Sequence, residues 1–207
     1  SSSDEFTYNV IDGGAEVTGC VGECPNDLVI PEEIDGYSVV EIENRAFNEN
    51  QLMNVSIPNS VTTIYGLAFA FNELSSLKLP NNLSVMTGES FTQNQLEKIT
   101  IPDSLAKIPY AAFRYNQITE LTLHDNLTEI DMAAFAFNLL SYVKIPLSVT
   151  VIREYAFRSN ILESIRFMGN RPVIDSKAFA GNQLEEIFYC SGTTGWPGEA
   201  IEVVTPQ

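Results

Sequence analysis

The chain is short of the residue types on which most chemistry depends. Its 207 residues include one histidine, His124, one tryptophan, Trp196, and three cysteines, Cys20, Cys24 and Cys190. A structural zinc site needs four donors, and two close cysteines, one distant cysteine and a single histidine do not readily supply them. A nucleophile needs a base within reach and a group that orients the base, yet no motif ties His124 to a serine or cysteine, and it reads as an exposed turn residue following a strand. Basic residues are also scarce, 11 against 27 acidic, for a net charge of −16. There is no excess of positive charge to displace counterions, which argues against nucleic acid as a partner, and an acidic surface repels anionic lipid. No apolar run is long enough to span a bilayer. Glycine-rich phosphate loops are absent, and the Asp-Gly segments at 12–14 and 34–36 lack the ligand spacing of a calcium loop, so they read as turns. No metal or cofactor is expected.

What the chain has instead is a period. From Ile42 onward a 22-residue unit, IENRAFNENQLMNVSIPNSVTT in its first copy, returns seven times without insertion or deletion. Phe47, Phe69, Phe91, Phe113, Phe135, Phe157 and Phe179 keep the spacing, as do Asn50, Asn72, Asn94, Asn116, Asn138, Asn160 and Asn182. A fixed period of this size predicts a stacked solenoid. Within each unit the pattern L-x-x-V-x-I alternates apolar and polar positions, as in Leu52, Val55 and Ile57, and predicts one short strand. Successive copies run in the same direction, so these strands are expected side by side in a parallel sheet. Proline after the strand, at Pro58, Pro80, Pro102 and Pro146, ends the pairing because it has no N–H to donate. A single unit cannot enclose its own Phe, Ile and Leu, so stability must come from stacking. The buried asparagine column reads as a ladder whose amides satisfy backbone groups of their own coil and the next.

The segment preceding the repeats, 1–41, reads as an amino-terminal cap: a hairpin over residues 4–19 turning at Asp12-Gly13-Gly14, then an irregular first strand, LVIP, at 28–31. Twelve of the first 50 residues are Asp or Glu, against one basic residue, Arg45. Cys20 and Cys24 are close enough for a disulfide closing a small loop, which suits an exported protein, and Cys190 is left as the odd thiol. The serine-rich acidic start, SSSDEF without a methionine, fits the linker that follows a removed secretion signal or a lipid-anchored cysteine. Repeats are expected over 42–189. A carboxyl-terminal cap is expected over 190–207, with Trp196 covering the open end of the core. The sequons at Asn54, Asn82 and Asn126 are generated by the repeat itself.

The unit AFxxNxLxxVxIPxSVTxI also resembles the leucine-rich repeat of the BspA-like subclass, across roughly residues 28–189. The resemblance implies a leucine-rich repeat solenoid: a right-handed curved superhelix with a parallel concave β-sheet, little helix, and irregular or 3₁₀ turns around the Ala-Phe pair. It also implies a secreted or cell-surface bacterial protein that adheres to host or neighbouring cells; that the chain is not an enzyme is expected from the missing catalytic residues. His124, Met168 and Cys190 depart from the proline position and Met86 from the isoleucine, none of which alters the expected fold.

Function is expected at the positions the repeat leaves free. Two outward columns flank the middle apolar residue of each strand. One runs Asn54, Ser76, Lys98, Glu120, Tyr142, Ser164, Glu186 and the other Ser56, Lys78, Thr100, Thr122, Lys144, Arg166, Phe188. Tyr142, Lys144, Arg166 and Phe188, with Lys78 and Lys98, are the candidate ligand-binding residues, because arginine and aromatic side chains on a rigid surface are the usual ingredients of a hot spot. The partner expected is a protein or glycan. A rigid spacer in a larger surface protein is the competing expectation. A third column, two residues after each Phe, holds Phe71, Tyr115 and Phe137; it is a second exposed candidate, a sticky aromatic stripe, but because the same position takes Gln and Gly the stronger expectation is that these rings pack over the turns.

Overall fold

The structure is a computed structural model of the chain and describes residues 4–196 and 201–203. Among these there is no α-helix, and no helix is long and apolar enough to cross a membrane. The amino-terminal part comprises β1 (Phe6–Ile11), β2 (Gly14–Cys20), β3 (Asp27–Val29), β4 (Glu33–Ile34) and β5 (Tyr37–Ile42). β1 and β2 form the expected antiparallel hairpin, and β2 then pairs in parallel with β5. β4 and β5 form a second, shorter hairpin turning at Asp35 and Gly36, which both lie at positive φ, 50° and 86°. That hairpin occupies the extra length between the first strand of the solenoid and the second: Asp27 pairs with Asn54, 27 residues on, whereas later partners are 22 apart.

Beyond β5 the strands are β6 (Asn54–Ser56), β7 (Thr63–Ile64), β8 (Val85–Met86), β9 (Lys98–Thr100), β10 (Lys107–Ile108), β11 (Glu120–Thr122) and β12 (Glu129–Ile130). They continue with β13 (Tyr142–Ile145), β14 (Val151–Ile152), β15 (Ser164–Phe167), β16 (Val173–Ile174), β17 (Glu186–Cys190) and β18 (Ile201–Val203). All their pairings are parallel. Each unit was expected to offer one strand, but most offer two. A second ladder runs through the V-T-x-I segment as β5–β7–β8 and β10–β12–β14–β16. Two residues per coil carry no readable alternation, so hydrophobic pattern alone gives no sign of it.

The expected ladder through L-x-x-V-x-I is present in segments, β3–β6, β9–β11 and β13–β15–β17–β18. Residues 76–78 form no strand. Each solenoid strand pairs over only two to four residues, and backbone bonds between successive Ala-Phe turns, such as Phe91 N–H to the Ala112 carbonyl at 2.9 Å, join the coils as well, with internal side-chain columns beside them.

Those columns are continuous. The rings of Phe47 through Phe179 stack along the axis with centroids 5.2–5.7 Å apart and planes inclined by 3–21°, and Phe6 from the hairpin meets the first of them edge-on at 6.4 Å. Six of the seven are fully buried. Beside them runs the asparagine ladder. The Oδ1 of Asn94 accepts from the backbone N–H of Leu74, one coil back, at 3.1 Å. Its Nδ2 donates to the carbonyl of Phe69 in that same earlier coil, at 2.9 Å, and to that of Phe91 in its own. Asn116, Asn138, Asn160 and Asn182 repeat both bridges within 2.8–3.0 Å.

The Ala-Phe turns need residues with positive φ two before and two after each Phe. Arg45 and Glu49 fill these slots at 61° and 57°, Ala133 and Phe137 at 56° and 59°, and Lys177 and Gly181 at 65° and 74°. At the carboxyl end Trp196 stacks on Tyr189 at 5.4 Å and leans on Phe167 at 4.7 Å, which are register partners on β17 and β15. Residues 197–200 and 204–207 of the expected cap, and the serines at 1–3, lie outside the described residues. Phe113 sits in the middle of the ring stack with no exposed surface. Phe113→Ala is expected to cost ~3–5 kcal/mol in a urea unfolding titration by opening a cavity between two rings, and a loss under about 1 kcal/mol would mean the phenylalanine column is not the core.

Candidate ligand-binding face

The outward columns can be located from the strand register. In the sheet β13–β15–β17, Lys144 pairs with Arg166 and Arg166 with Phe188, so these three side chains form one row across neighbouring strands, ~4.8 Å per step. Tyr142 lies two residues before Lys144 on β13, on the same face, and its register partners are Ser164 and Glu186. Tyr142 is 43% exposed. The Arg166 guanidinium stands 5.7 Å above the Phe188 ring, a cation–π arrangement that holds both in place. Partial burial raises the Tyr142 phenol pKa, with the Arg166 charge opposing. Four of the six candidates therefore form one group.

Lys78 and Lys98 form a separate one. They line a depression of about 370 Å³ with Leu77, Leu79, Ile99 and Pro102, where the ladder is interrupted around residues 76–78. Lys98 is engaged by Glu120 at 2.7 Å, and that hydrogen bond and charge raise its pKa. A second depression, of about 350 Å³, opens at the break between β11 and β13, lined by Tyr142, Lys144, Thr122, Leu123, Asp125 and Pro146. Thr122 and Asp125 were not among the sequence candidates. Thr122 belongs to the second outward column, but Asp125 sits in the turn after the strand and no periodic signal marks it.

The remaining singled-out residues are structural. Cys20 and Cys24 are joined as a disulfide with Cα atoms 5.4 Å apart, and Cys190 is a half-buried free thiol. His124 differs from expectation: its side chain is 10% exposed, not open to solvent. It occupies the position that proline fills in the coils on either side, so stacking covers it. Its Nδ1 accepts from the Asn126 N–H at 3.1 Å, and Asp103 lies 3.9 Å away. Among the described residues no group of three or more His, Cys, Asp or Glu side chains is placed to hold a metal.

A stack of 22-residue coils with short parallel strands on one side and turns on the other defines a leucine-rich-repeat solenoid. The sequence matches the BspA type leucine rich repeat region, a family description of six copies, over residues 30–119 and 85–202, and the chain belongs to that family. No protein of curated function matches it. The solved structure of the pneumococcal vaccine antigen PcpA is similar to it with a TM-score of 0.64 and 20% identity, over 84% of this chain and 48% of that one. This chain thus spans about half of that antigen. A leucine rich cell surface protein of Faecalibacterium prausnitzii gives 0.57 and 18%, covering 97% and 71%, and the T. pallidum leucine rich repeat protein 0.53 and 23%, covering 93% and 86%. At these identities the likeness is one of fold.

The Lys98–Glu120 pair tests whether ion pairs on this face matter to folding. Both side chains are 65% exposed, where solvent screens the attraction and ordering opposes it. Glu120→Gln is expected to leave the urea midpoint unchanged within error while freeing Lys98 for a ligand; a clear drop in the midpoint would make this face structural.

Proposed function

We propose that this chain is a non-enzymatic recognition module, secreted or displayed on a bacterial surface, that binds a protein or glycan through the strand face of its solenoid. The observation that carries this reading is the row Lys144–Arg166–Phe188 with Tyr142 beside it. In an acidic chain it gathers two cations and two aromatic rings on neighbouring strands, beside the depression that Tyr142 and Lys144 line. The scaffold beneath is rigid, so little ordering opposes association. A surface location is supported by fold relatives described as a cell surface protein and a vaccine antigen, and the Cys20–Cys24 disulfide suits an oxidising compartment.

The test is binding of the purified chain to a panel of extracellular-matrix proteins and glycans, beside a Lys144→Glu, Arg166→Glu, Phe188→Ala variant shown to melt with the wild type. The reading expects at least one ligand whose affinity falls more than about tenfold in the variant. Binding that survives intact moves the site elsewhere, and no binding by either protein favours a rigid spacer.

A further inference from the structure

The opposite edge of each coil, built by the Ala-Phe turns, carries a cluster that the strand-face reading does not use. The slots flanking each repeat Phe hold a left-handed backbone, which glycine or asparagine adopts most cheaply. Gly181 is the single glycine among them. Phe71, Tyr115, Phe137 and Tyr155 instead place aromatic side chains there, at φ 58°, 55°, 59° and 61°. The fold needs the backbone conformation, not the rings.

Three of those rings are interleaved with cations. Tyr115 and Phe137 stack at 4.4 Å. The Arg114 guanidinium lies 4.6 Å from the Tyr115 centroid and 5.5 Å from that of Phe137. Arg158 lies 5.7 Å from Phe137 and 4.9 Å from Tyr155. Lys177 stands 5.6 Å from the Tyr155 ring, donates to its hydroxyl at 3.2 Å and lies 3.7 Å from the Glu154 carboxylate, a contact a ligand carboxylate would have to share. Buried Ala111, Ala133 and Ala136 form the floor on which Phe137 and Tyr155 rest. In a chain with 27 acidic residues, the ion pairs among the described residues bypass Arg114 and Arg158. Their planar donor forks are positioned by the rings and matched to no carboxylate.

We propose that this turn edge is a second binding surface, for a linear acidic polysaccharide, with Arg114, Arg158 and Lys177 pairing with its carboxylates and the exposed Tyr115 ring taking a sugar face. A regular polymer is favoured because the cations follow the solenoid axis: Arg114 and Arg158 are two coils apart and Lys177 one coil further. Tyr115 is 40% exposed and ends the aromatic stack, with Gln93 in the same slot one coil back, so part of its ring is within reach of a sugar. The densest part of the net charge of −16 is remote from this edge, although residues 51–207 keep 15 acidic against 10 basic residues. The acid-rich first 50 residues are about three coils or more away, beyond a Debye length of ~8 Å at physiological ionic strength. The inference is independent of the strand-face site.

The experiment titrates the full chain with polygalacturonate oligomers, dextran oligomers of matched length and poly-L-glutamate. The variants are Arg114→Gln/Arg158→Gln and the strand-face triple variant. Arg158→Gln alone, at an exposed side chain, keeps the test readable if the double variant does not fold. The expected result is polygalacturonate binding that weakens with salt, no dextran binding, and a loss of about tenfold for each guanidinium removed, with the strand-face variant unaffected. Equal binding of poly-L-glutamate would overturn the choice of a glycan in favour of an acidic peptide. No polygalacturonate binding, or binding indifferent to both arginine variants, would overturn the site.

Discussion

From Asn72 onward one side-chain amide in each coil fastens that coil to its predecessor, and the rest of the structure depends on it. Asn116 shows the arrangement: its Oδ1 takes the Leu96 N–H and its Nδ2 reaches the Phe91 carbonyl, both in the preceding coil, while a third bond returns to Phe113 in its own. Asparagine suits this position because its short side chain presents a donor and an acceptor at once. The groups it satisfies belong to a turn packed against a phenylalanine, where water cannot replace it, and leaving one of them unpaired costs about 1–3 kcal/mol. The Phe stack supplies the apolar burial, but stacked rings can slide; the buried asparagine bonds fix the register together with the backbone bonds between successive Ala-Phe turns. With register fixed, short interrupted strands suffice on either side, and a face of variable side chains can be carried without a continuous sheet.

Most of this was legible from spacing. An unbroken 22-residue period meant that equivalent residues had to stack, so the Phe and Asn columns and the row Lys144, Arg166, Phe188 could be read before any coordinates. The second ladder could not, because Thr63-Ile64 and its equivalents pair over only two residues. The breaks in the first ladder were equally invisible, since Leu77 and Leu79 obey the pattern as well as Ile99 and Ile101 do. His124 was misjudged because a turn position is normally exposed, whereas a turn in a solenoid has coils on either side. The turn-edge stack was half legible: the aromatic column was apparent, but Arg114 and Arg158 sit one residue after the Phe and Tyr155 two before it, so three columns had to be superposed.

The charge distribution follows the same geometry. Acidic residues are concentrated at the amino-terminal end, whereas the cations of the two candidate surfaces lie in the later coils, Lys144 and Arg166 on the strand face and Arg114, Arg158 and Lys177 on the turn edge. A solenoid keeps such segments apart, because each coil touches only its neighbours. One rigid stack can therefore present two faces of different chemistry, and a substitution on one need not disturb the other.

Backbone hydrogen exchange would test the central claim most directly. The amides of Leu74, Leu96, Ile118 and Leu140 each donate to the asparagine of the next coil. If those bonds fasten the stack, these four amides exchange only through opening of the whole solenoid, at a common free energy equal to that of global unfolding. Exchange as fast as that of the exposed turn amides would show that the asparagines decorate the coils without holding them together.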